Sequence, residues 1–483
     1  MRPNTPKPWP HQKAGTDWLL AHKAAYLDVK MGGGKSRMIV DYLDAASAAL
    51  VLVVCPKSVV EDVWPREFPK WSDRPWRVAA STALGASTPI RLRRAEKMRA
   101  EATWEGDPFV FIVNYDSFRA TSVQDWLRTV PWDVIVYDEA QNLKSPNGVT
   151  SKAAARMQKR ASRVVAMSGT PLPHSPMDAF GQFRAIDPWV LGASWWAFRK
   201  RYGVLGGFKM KQVVAYQNQE EMTAKMATVM FSPDPGSIDL NLPDAQHVTV
   251  NVELSPKARR AYDALSKGLV EEINGGSINA ANGLVKLLRM QQLTSGLAVI
   301  DKPLDEDPDH VPTDHELAAM MMGEVDVERE GVVVCTAKQD AICDLVSGTS
   351  EPFVVFGQFR QDADATHAAC EKAGVTCLEL SGQRSELAAW KAGEAQVLFV
   401  QIASGNAGID LTRARYCAYL STGFDMGKYL QSLARVHRPG QTRPVTYYHV
   451  RAANSVDYYV ARALASREDL ITATLRMVAE AAT

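Results

Sequence analysis

The segment AAYLDVKMGGGKSRMIVDYLDAA, residues 24–46, reads as three pieces in succession. Tyr26 to Val29 is a short apolar run of the kind that forms a buried strand, Gly32, Gly33 and Gly34 make a turn, and MIVDYLDAA carries a helical period. A glycine turn between strand and helix lets backbone N–H groups close round phosphate oxygens. Lys35 is then able to reach the outer phosphates and the Ser36 hydroxyl to ligate Mg²⁺. The general pattern asks for glycine where this chain has Val29. The competing reading is a glycine-rich helix start that happens to contain a lysine, and the strand before and helix after favour the phosphate reading.

Working outward, the same grammar recurs. ALVLVVCP, FVFIVNYDSF, DVIVYDEAQ and RVVAMSGTP in the first half, then PFVVFGQFR, VTCLELSG, AQVLFVQIASG, CAYLSTGFD and RPVTYYHVRA in the second, are apolar runs bounded by Gly, Pro or Asp and separated by helical segments. Such runs predict buried parallel strands joined by helices, hence an α/β fold in two lobes. The lobe boundary is placed near Leu242, giving 1–241 and 242–483. Helical patterns fill 174–241 in the first lobe and 255–330 in the second, including Ser255 to Glu272 and Asn282 to Leu297. DKPLDEDPDHVPTD, Asp301 to Asp314, has proline and acid without periodicity and is expected to be a mobile surface loop.

The strand Asp133 to Tyr137 runs into Asp138, Glu139, Ala140 and Gln141. A carboxylate at the C-terminal end of a central strand can hold Mg²⁺ and its neighbour can orient or deprotonate water, so Asp138 is the candidate metal residue and Glu139 the candidate base. An acidic helix N-terminus favoured by the macrodipole is the plainer alternative. Its place after a phosphate turn argues against that.

Composition sets limits. The chain has 483 residues, 46% hydrophobic and 23% charged, which is globular and too long for one ordinary core. Net charge is +1, so affinity for phosphate backbones must come from local arrangement of Lys and Arg. Six cysteines show no metal spacing and are expected as buried thiols. MRPNTPKPWP lacks a signal core and no apolar stretch approaches the ~20 residues of a membrane span, so a cytoplasmic protein without membrane contact is expected.

The order of these motifs resembles the Swi/Snf-type branch of helicase superfamily two, over almost the whole chain. Pro10, His11, Gln12, Gly15, Trp18 and Leu19 are similar to that family's adenine-reading segment, which makes Gln12 the base reader; a Gln amide can bond an adenine edge bidentately. VLVVCPKSVVEDVWPREFPKW is similar to its next motif, implying nucleic-acid contacts at Pro56, Lys57 and Ser58, and Tyr115 is carried over in the same way. DEAQ stands where DEAH is commoner. Ser168, Gly169 and Thr170 resemble the segment that couples hydrolysis to lobe movement.

In the second half HVTVNVELSPKARRAYDAL and LLRMQQLTSG resemble the family's opening of lobe two, and VVFGQFRQDADATHAAC places Gln358 and Arg360 near nucleic acid. SGNAGIDL implies nucleic-acid contacts at Ser404 and Gly405 and nucleotide contacts at Gly408 and Asp410, although Asn406 and Asp410 depart from the usual residues. QSLARVHRPGQ resembles the segment carrying the arginine fingers. Gln431 is then nucleotide-binding, and Arg435 and Arg438, three apart on a helix, share a face where both guanidiniums meet the γ-phosphate.

The resemblance implies two RecA-like lobes in tandem with helical insertions, ATP and Mg²⁺ as cofactors, and translocation on double-stranded DNA. A strand-separating DNA or RNA helicase, with single-stranded DNA or RNA as possible partners, and a nucleic-acid-binding adaptor with a dead ATPase remain open as alternatives. WWAFRKRYGV is closer to the annealing-helicase subgroup than to nucleosome remodellers, and a bare bacterial or viral motor is expected. The basic run Arg91, Arg93, Arg94, Lys97, Arg99 reads as a solvated helix face, and most tryptophans as core. Protein partners cannot be read from the residues.

Overall fold

The apolar runs of the first half form parallel strands in a computed structural model that describes residues 6–61, 63–172, 175–206, 212–234, 242–274, 280–301, 329–403 and 409–466. The chain divides into two units, Met1–Asn241 and Leu242–Thr483.

In the first unit, β1 (Ala24–Asp28), β2 (Leu50–Cys55), β3 (Arg77–Ala80), β4 (Phe109–Asn114), β5 (Trp132–Asp138), β6 (Ala161–Ser168) and, after a hairpin, β9 (Met230–Phe231) build a seven-stranded sheet in the order β3-β4-β2-β5-β6-β1-β9. Every pairing in it is parallel. Val51 to Cys55 and Phe109 to Asn114 are buried on both faces, which explains why these strands read as continuous apolar runs. Burying each such Val, Ile or Phe contributes about 1.5–3 kcal/mol. The core gathers Tyr26, Phe111, Trp132, Tyr137 and Phe183. The 174–241 insertion is not purely helical: besides helices Ala179–Ile186, Trp195–Tyr202 and Gln219–Ala227 it contains the antiparallel hairpin β7 (Gly203–Gly206) and β8 (Gln212–Tyr216).

In the second unit, β10 (Ala245–Val252), β13 (Phe353–Gly357), β14 (Cys377–Leu380), β15 (Val397–Gln401), β16 (Tyr416–Tyr419) and β17 (Val445–Ala452) form a six-stranded sheet ordered β10-β17-β16-β13-β15-β14, again parallel throughout. Its insertion holds the helices Pro256–Asn274 and Ala280–Thr294, then an antiparallel pair, β11 (Leu297–Asp301) with β12 (Arg329–Val333). Asp301 therefore ends a strand; the rest of the expected loop, through Asp314, lies outside the described residues.

Parallel sheets collect functional groups at the carboxyl ends of their strands. In the first unit β1, β6 and β5 are neighbours, with Asp28 opposite Ser168 and Asp138 opposite Met167. The glycine turn, the acidic pair and the Ser168–Thr170 segment therefore emerge side by side.

Candidate nucleotide site

Gly32 and Gly34 have φ of 78° and 79°, the left-handed region where a side chain is strained. Space forbids one as well. A Cβ on Gly34 would run into the Gln12 amide, and one on Gly33 would lie 2.6 Å from Val29 Cγ1. Gly34 caps the helix Lys35–Ala45, so the helix begins on the lysine, with Ser36 next, and points its first amides back toward the turn. Val29, in place of the usual glycine, is fully buried, and its carbonyl accepts from Lys35 Nζ at 2.8 Å. His11 Nε2 bonds the Gly33 carbonyl at 2.9 Å. Backbone donors, a lysine and a helix N-terminus gathered on one tight turn fit a polyphosphate.

Gln12 is buried against this turn. Its Oε1 accepts from the Trp9 backbone N–H at 2.9 Å and its Nε2 lies 3.5 Å from the Gly33 carbonyl oxygen. The expected base reader thus braces the glycines.

Asp138 is held at the end of β5, its Oδ2 accepting from Trp64 Nε1 at 3.0 Å. Burial, and after it the Glu139 charge, pushes its carboxyl up to about 7, against the Trp64 bond and the Lys35 charge. Glu139 adopts φ 51°, rare for a residue with a Cβ, and is 8% exposed. A relay runs from it: Gln141 Nε2 donates to Glu139 Oε2 at 2.7 Å, Ser168 Oγ donates to Gln141 Oε1 at 2.6 Å, and the Thr170 N–H donates to Ser168 Oγ at 2.9 Å. Gly169 completes the contact, since a Cβ there would meet Met31 at 3.2 Å and Lys35 Nζ at 3.5 Å. Glutamine in the fourth position of DEAQ therefore makes the bridge between the acidic pair and the Ser168–Thr170 segment. His11 came with the adenine-reading segment and Gln141 as the odd residue of its motif, whereas the Trp64 bond to Asp138 carried no signal in the sequence.

Tyr115, expected to touch nucleic acid, is 8% exposed and its hydroxyl donates to the Asp138 carbonyl at 2.8 Å, which braces the acidic turn. Pro56, Lys57 and Ser58 follow β2 in a 3-10 turn, with Lys57 exposed.

In the second unit the expectation that Arg435 and Arg438 share a helix face is also corrected. The helix Met426–Val436 ends before Arg438, which precedes Pro439, and a residue before proline is driven out of the helical region. Arg435 sits in the last turn, 7% exposed; Arg438 lies in the loop and donates to the Ile409 carbonyl at 3.2 Å. That loop is fixed by His437 Nε2 on the Pro243 carbonyl at 2.7 Å and by Gln441 Nε2 on the carbonyls of Thr412 and Ala414 at 3.1 and 2.8 Å. Gln431, Arg435 and Ile409 line one small cavity.

Asp410 Oδ1 accepts from the Thr412 N–H at 2.9 Å and the Thr412 hydroxyl at 2.7 Å. Burial works against its charge, but these bonds with the nearby Arg438 and Lys391 hold its carboxyl below the usual value. The Gln358 N–H donates to Ser421 Oγ at 2.8 Å, and Arg360 is exposed at the start of the helix Arg360–Ala373. Ser404, Gly405 and Gly408 lie outside the described residues.

Along Thr88–Glu105, Arg94 bonds the Leu84 carbonyl, Arg99 pairs with Glu96 and Lys97 with Glu101, as a solvated face does. All six cysteines are unpaired thiols, four of them buried. Among the described residues there is no cluster of three or more metal-ligating side chains, and no helix is long and apolar enough to cross a membrane.

The SNF2-related domain family matches residues 11–296, and the helicase conserved C-terminal domain matches residues 337–440. A putative protein, p41, of Acyrthosiphon pisum secondary endosymbiont phage 1 is 26% identical, over 95% of this chain and 95% of its own length. The chromatin remodeling factor mit1 of Schizosaccharomyces pombe is 22% identical over 93% of this chain, which spans only 31% of that protein. The Sulfolobus solfataricus SWI2/SNF2 ATPase core in complex with dsDNA aligns with a TM-score of 0.42 and 19% identity, covering 98% of this chain and 95% of that one. With more than half of its residues matched by the first of these families, this chain belongs to the SNF2-related family and is an ATPase of the helicase and translocase type.

Proposed function

We propose that the chain is a translocase on double-stranded DNA, spending ATP hydrolysis on movement along DNA or on remodelling DNA and protein–DNA complexes. The observation that carries this reading is the relay from Glu139 through Gln141 to Ser168 and Thr170, beside the turn that holds Lys35. A nucleotide-dependent change at the acidic pair has in it a direct mechanical route into the segment after β6. Family membership, and the chromatin remodeling named for the fission yeast relative, support the choice of substrate.

In this reading the Gly32–Gly34 N–H groups and Lys35 hold the phosphates, Gln12 secures the turn beside the base, and Ser36 and Asp138 hold Mg²⁺. Mg²⁺-ATP supplies the electrophilic phosphoryl group and partial neutralisation of its charge. Glu139 orients the attacking water and takes its proton. In the second unit, the family resemblance makes Arg435 and Arg438 the candidate arginine fingers and Gly408, Asp410 and Gln431 candidate nucleotide contacts. Lys57 and Arg360, with Pro56, Ser58, Gln358, Ser404 and Gly405, contact the DNA backbone, so binding weakens as salt rises. Ser168, Gly169 and Thr170 pass the state of the nucleotide onward.

The test is ATPase rate with duplex DNA, single strands, forks and RNA compared side by side. Duplex stimulation is expected, and Lys35→Ala or Glu139→Gln should cut turnover by about a hundredfold or more while DNA binding persists. Stimulation by RNA alone overturns the DNA reading, and stimulation by none favours an adaptor. Full activity in either variant removes the assigned roles.

A further inference from the structure

The opposite end of the same two strands carries a second charged surface. Arg160 directly precedes β6 and Trp132 opens β5, whereas Ser168 and Asp138 close them. Seven residue steps along β6 at about 3.3 Å each separate the two ends by roughly 23 Å. Around that amino end Arg128, Arg156, Lys159 and Arg160 line an open hollow of 410 Å³, which continues into one of 510 Å³ along Thr129–Asp133 and Lys159–Ser162.

Arg156, Lys159 and Arg160 are exposed and make no ion pair or side-chain hydrogen bond among the described residues. Two carboxylates lie near. Asp125 pairs with Arg128 at 2.9 Å, and Asp133 is occupied by the N–H groups of Ala49 and Leu50 at 2.8 and 2.9 Å. Four cations against these two carboxylates leave the surface with a net positive charge. Unpaired like charges repel one another and persist most readily where a polyanion offsets them.

We infer that this surface is a second binding site for the phosphate backbone of duplex DNA, distinct from the nucleotide site. Phosphate rather than an acidic protein is favoured because the lining offers forked guanidiniums but no exposed large apolar side chain: Val130 and Trp132 are 2% and 1% exposed, and the exposed apolar residue between them is the small Pro131. The inference rests on the proposed function only for the identity of the polyanion. Its consequence is that the first unit grips a DNA segment other than the one contacted beside Lys57.

The test uses the full chain and the triple variants R156E/K159E/R160E and R156Q/K159Q/R160Q. Expected is a log–log salt slope of duplex binding lower by about 2–3, because each lost phosphate contact removes roughly 0.9. Affinity at low salt should fall about tenfold or more, bridging of two labelled duplexes should disappear, and ATPase turnover on saturating short duplex should stay unchanged. If the glutamate variant melts early, the glutamine variant carries the measurement. An unchanged slope and affinity in a variant that melts like the parent overturn the inference, as does loss of polyglutamate binding with DNA binding intact, which would assign the surface to an acidic protein. A parent enzyme whose ATPase ignores DNA would defeat the translocase reading separately, since the salt slope reports this surface without turnover.

Discussion

At the scale of single residues, the turn tolerates little. Gly34→Ala must hold a left-handed backbone at a cost of about 1–2 kcal/mol and also displace the Gln12 amide. Thermal melting should show that loss, and nucleotide titration should show weaker binding. Gln141→Ala should lower DNA-stimulated turnover by about tenfold to a hundredfold with nucleotide affinity nearly unchanged, because Glu139 loses its orienting donor while the phosphate turn stays intact. A fall in affinity equal to the fall in turnover would contradict this. His449 makes a different kind of prediction. Its Nε2 meets His247 Nδ1 at 3.0 Å, its ring stacks on Tyr419, and burial, followed by Arg451 and His247, brings its pKa down to about 3. A folded-state value below the unfolded value near 6.5 means that the unfolded chain takes the proton first, so stability is whole above about 6.5 and falls as pH drops toward 3. Between pH 7.5 and 5 this group should remove about 2 kcal/mol, a loss absent in His449→Gln when the two proteins are unfolded in urea at both values. Much of the nucleotide turn was legible because glycine, lysine and hydroxyl types are demanded by backbone geometry and phosphate chemistry. The Tyr115 bond to the Asp138 carbonyl was not, since a tyrosine after a strand can point outward or fold beneath its neighbour.

At the scale of elements, long apolar runs betray central strands because both faces are buried, and β2, β4, β5, β6, β13 and β15 follow that rule. Edge strands do not: β3 carries Arg77, which is paired to Asp107 at 2.8 Å, and β9 is only Met230–Phe231. The hairpin β7–β8 and the pair β11–β12 escaped because their strands are only four or five residues long and follow helical segments. Where the Met426–Val436 helix ends was legible in Pro439, and weighing that proline would have separated Arg438 from the helix face. One interaction that ties several elements was invisible in sequence. Lys338 Nζ lies 2.7 Å from Asp457 Oδ2 and donates to the Leu420 carbonyl at 2.7 Å, while Asp457 also accepts from the Thr294 hydroxyl and the Ala452 N–H, both at 3.0 Å. The side chains are 2% and 7% exposed, so removing one leaves a buried charge. Lys338→Met or Asp457→Leu alone should cost about 3–5 kcal/mol, and the two together distinctly less than the sum. Chemical unfolding of the four proteins gives the cycle, and simple additivity would show that the pair is not coupled.

At the scale of the whole molecule, each unit builds its own core from its own sheet. Tyr26, Phe111, Trp132 and Phe183 cluster in the first; Phe356, Leu398, Tyr419 and Tyr447 on one face of the second sheet and Phe353, Val355, Phe399 and Val450 on the other. Cooperative unfolding follows shared cores, so calorimetry should resolve two transitions rather than one. They can be assigned by perturbing them separately. Mg²⁺-ADP at a hundred times its Kd stabilises whatever holds it by about 2.7 kcal/mol and should raise only the transition of Met1–Asn241, provided that the Gly32–Ser36 turn supplies most of the affinity. Asp457→Ala should lower only the other, because every partner of that carboxylate lies beyond Leu242. Lys35→Ala should abolish the nucleotide shift and leave the Asp457→Ala effect untouched. If the ligand and the Asp457 substitution instead move a single peak together, the two sheets melt as one body, and independent cores cease to be the right description of how this chain stores its stability.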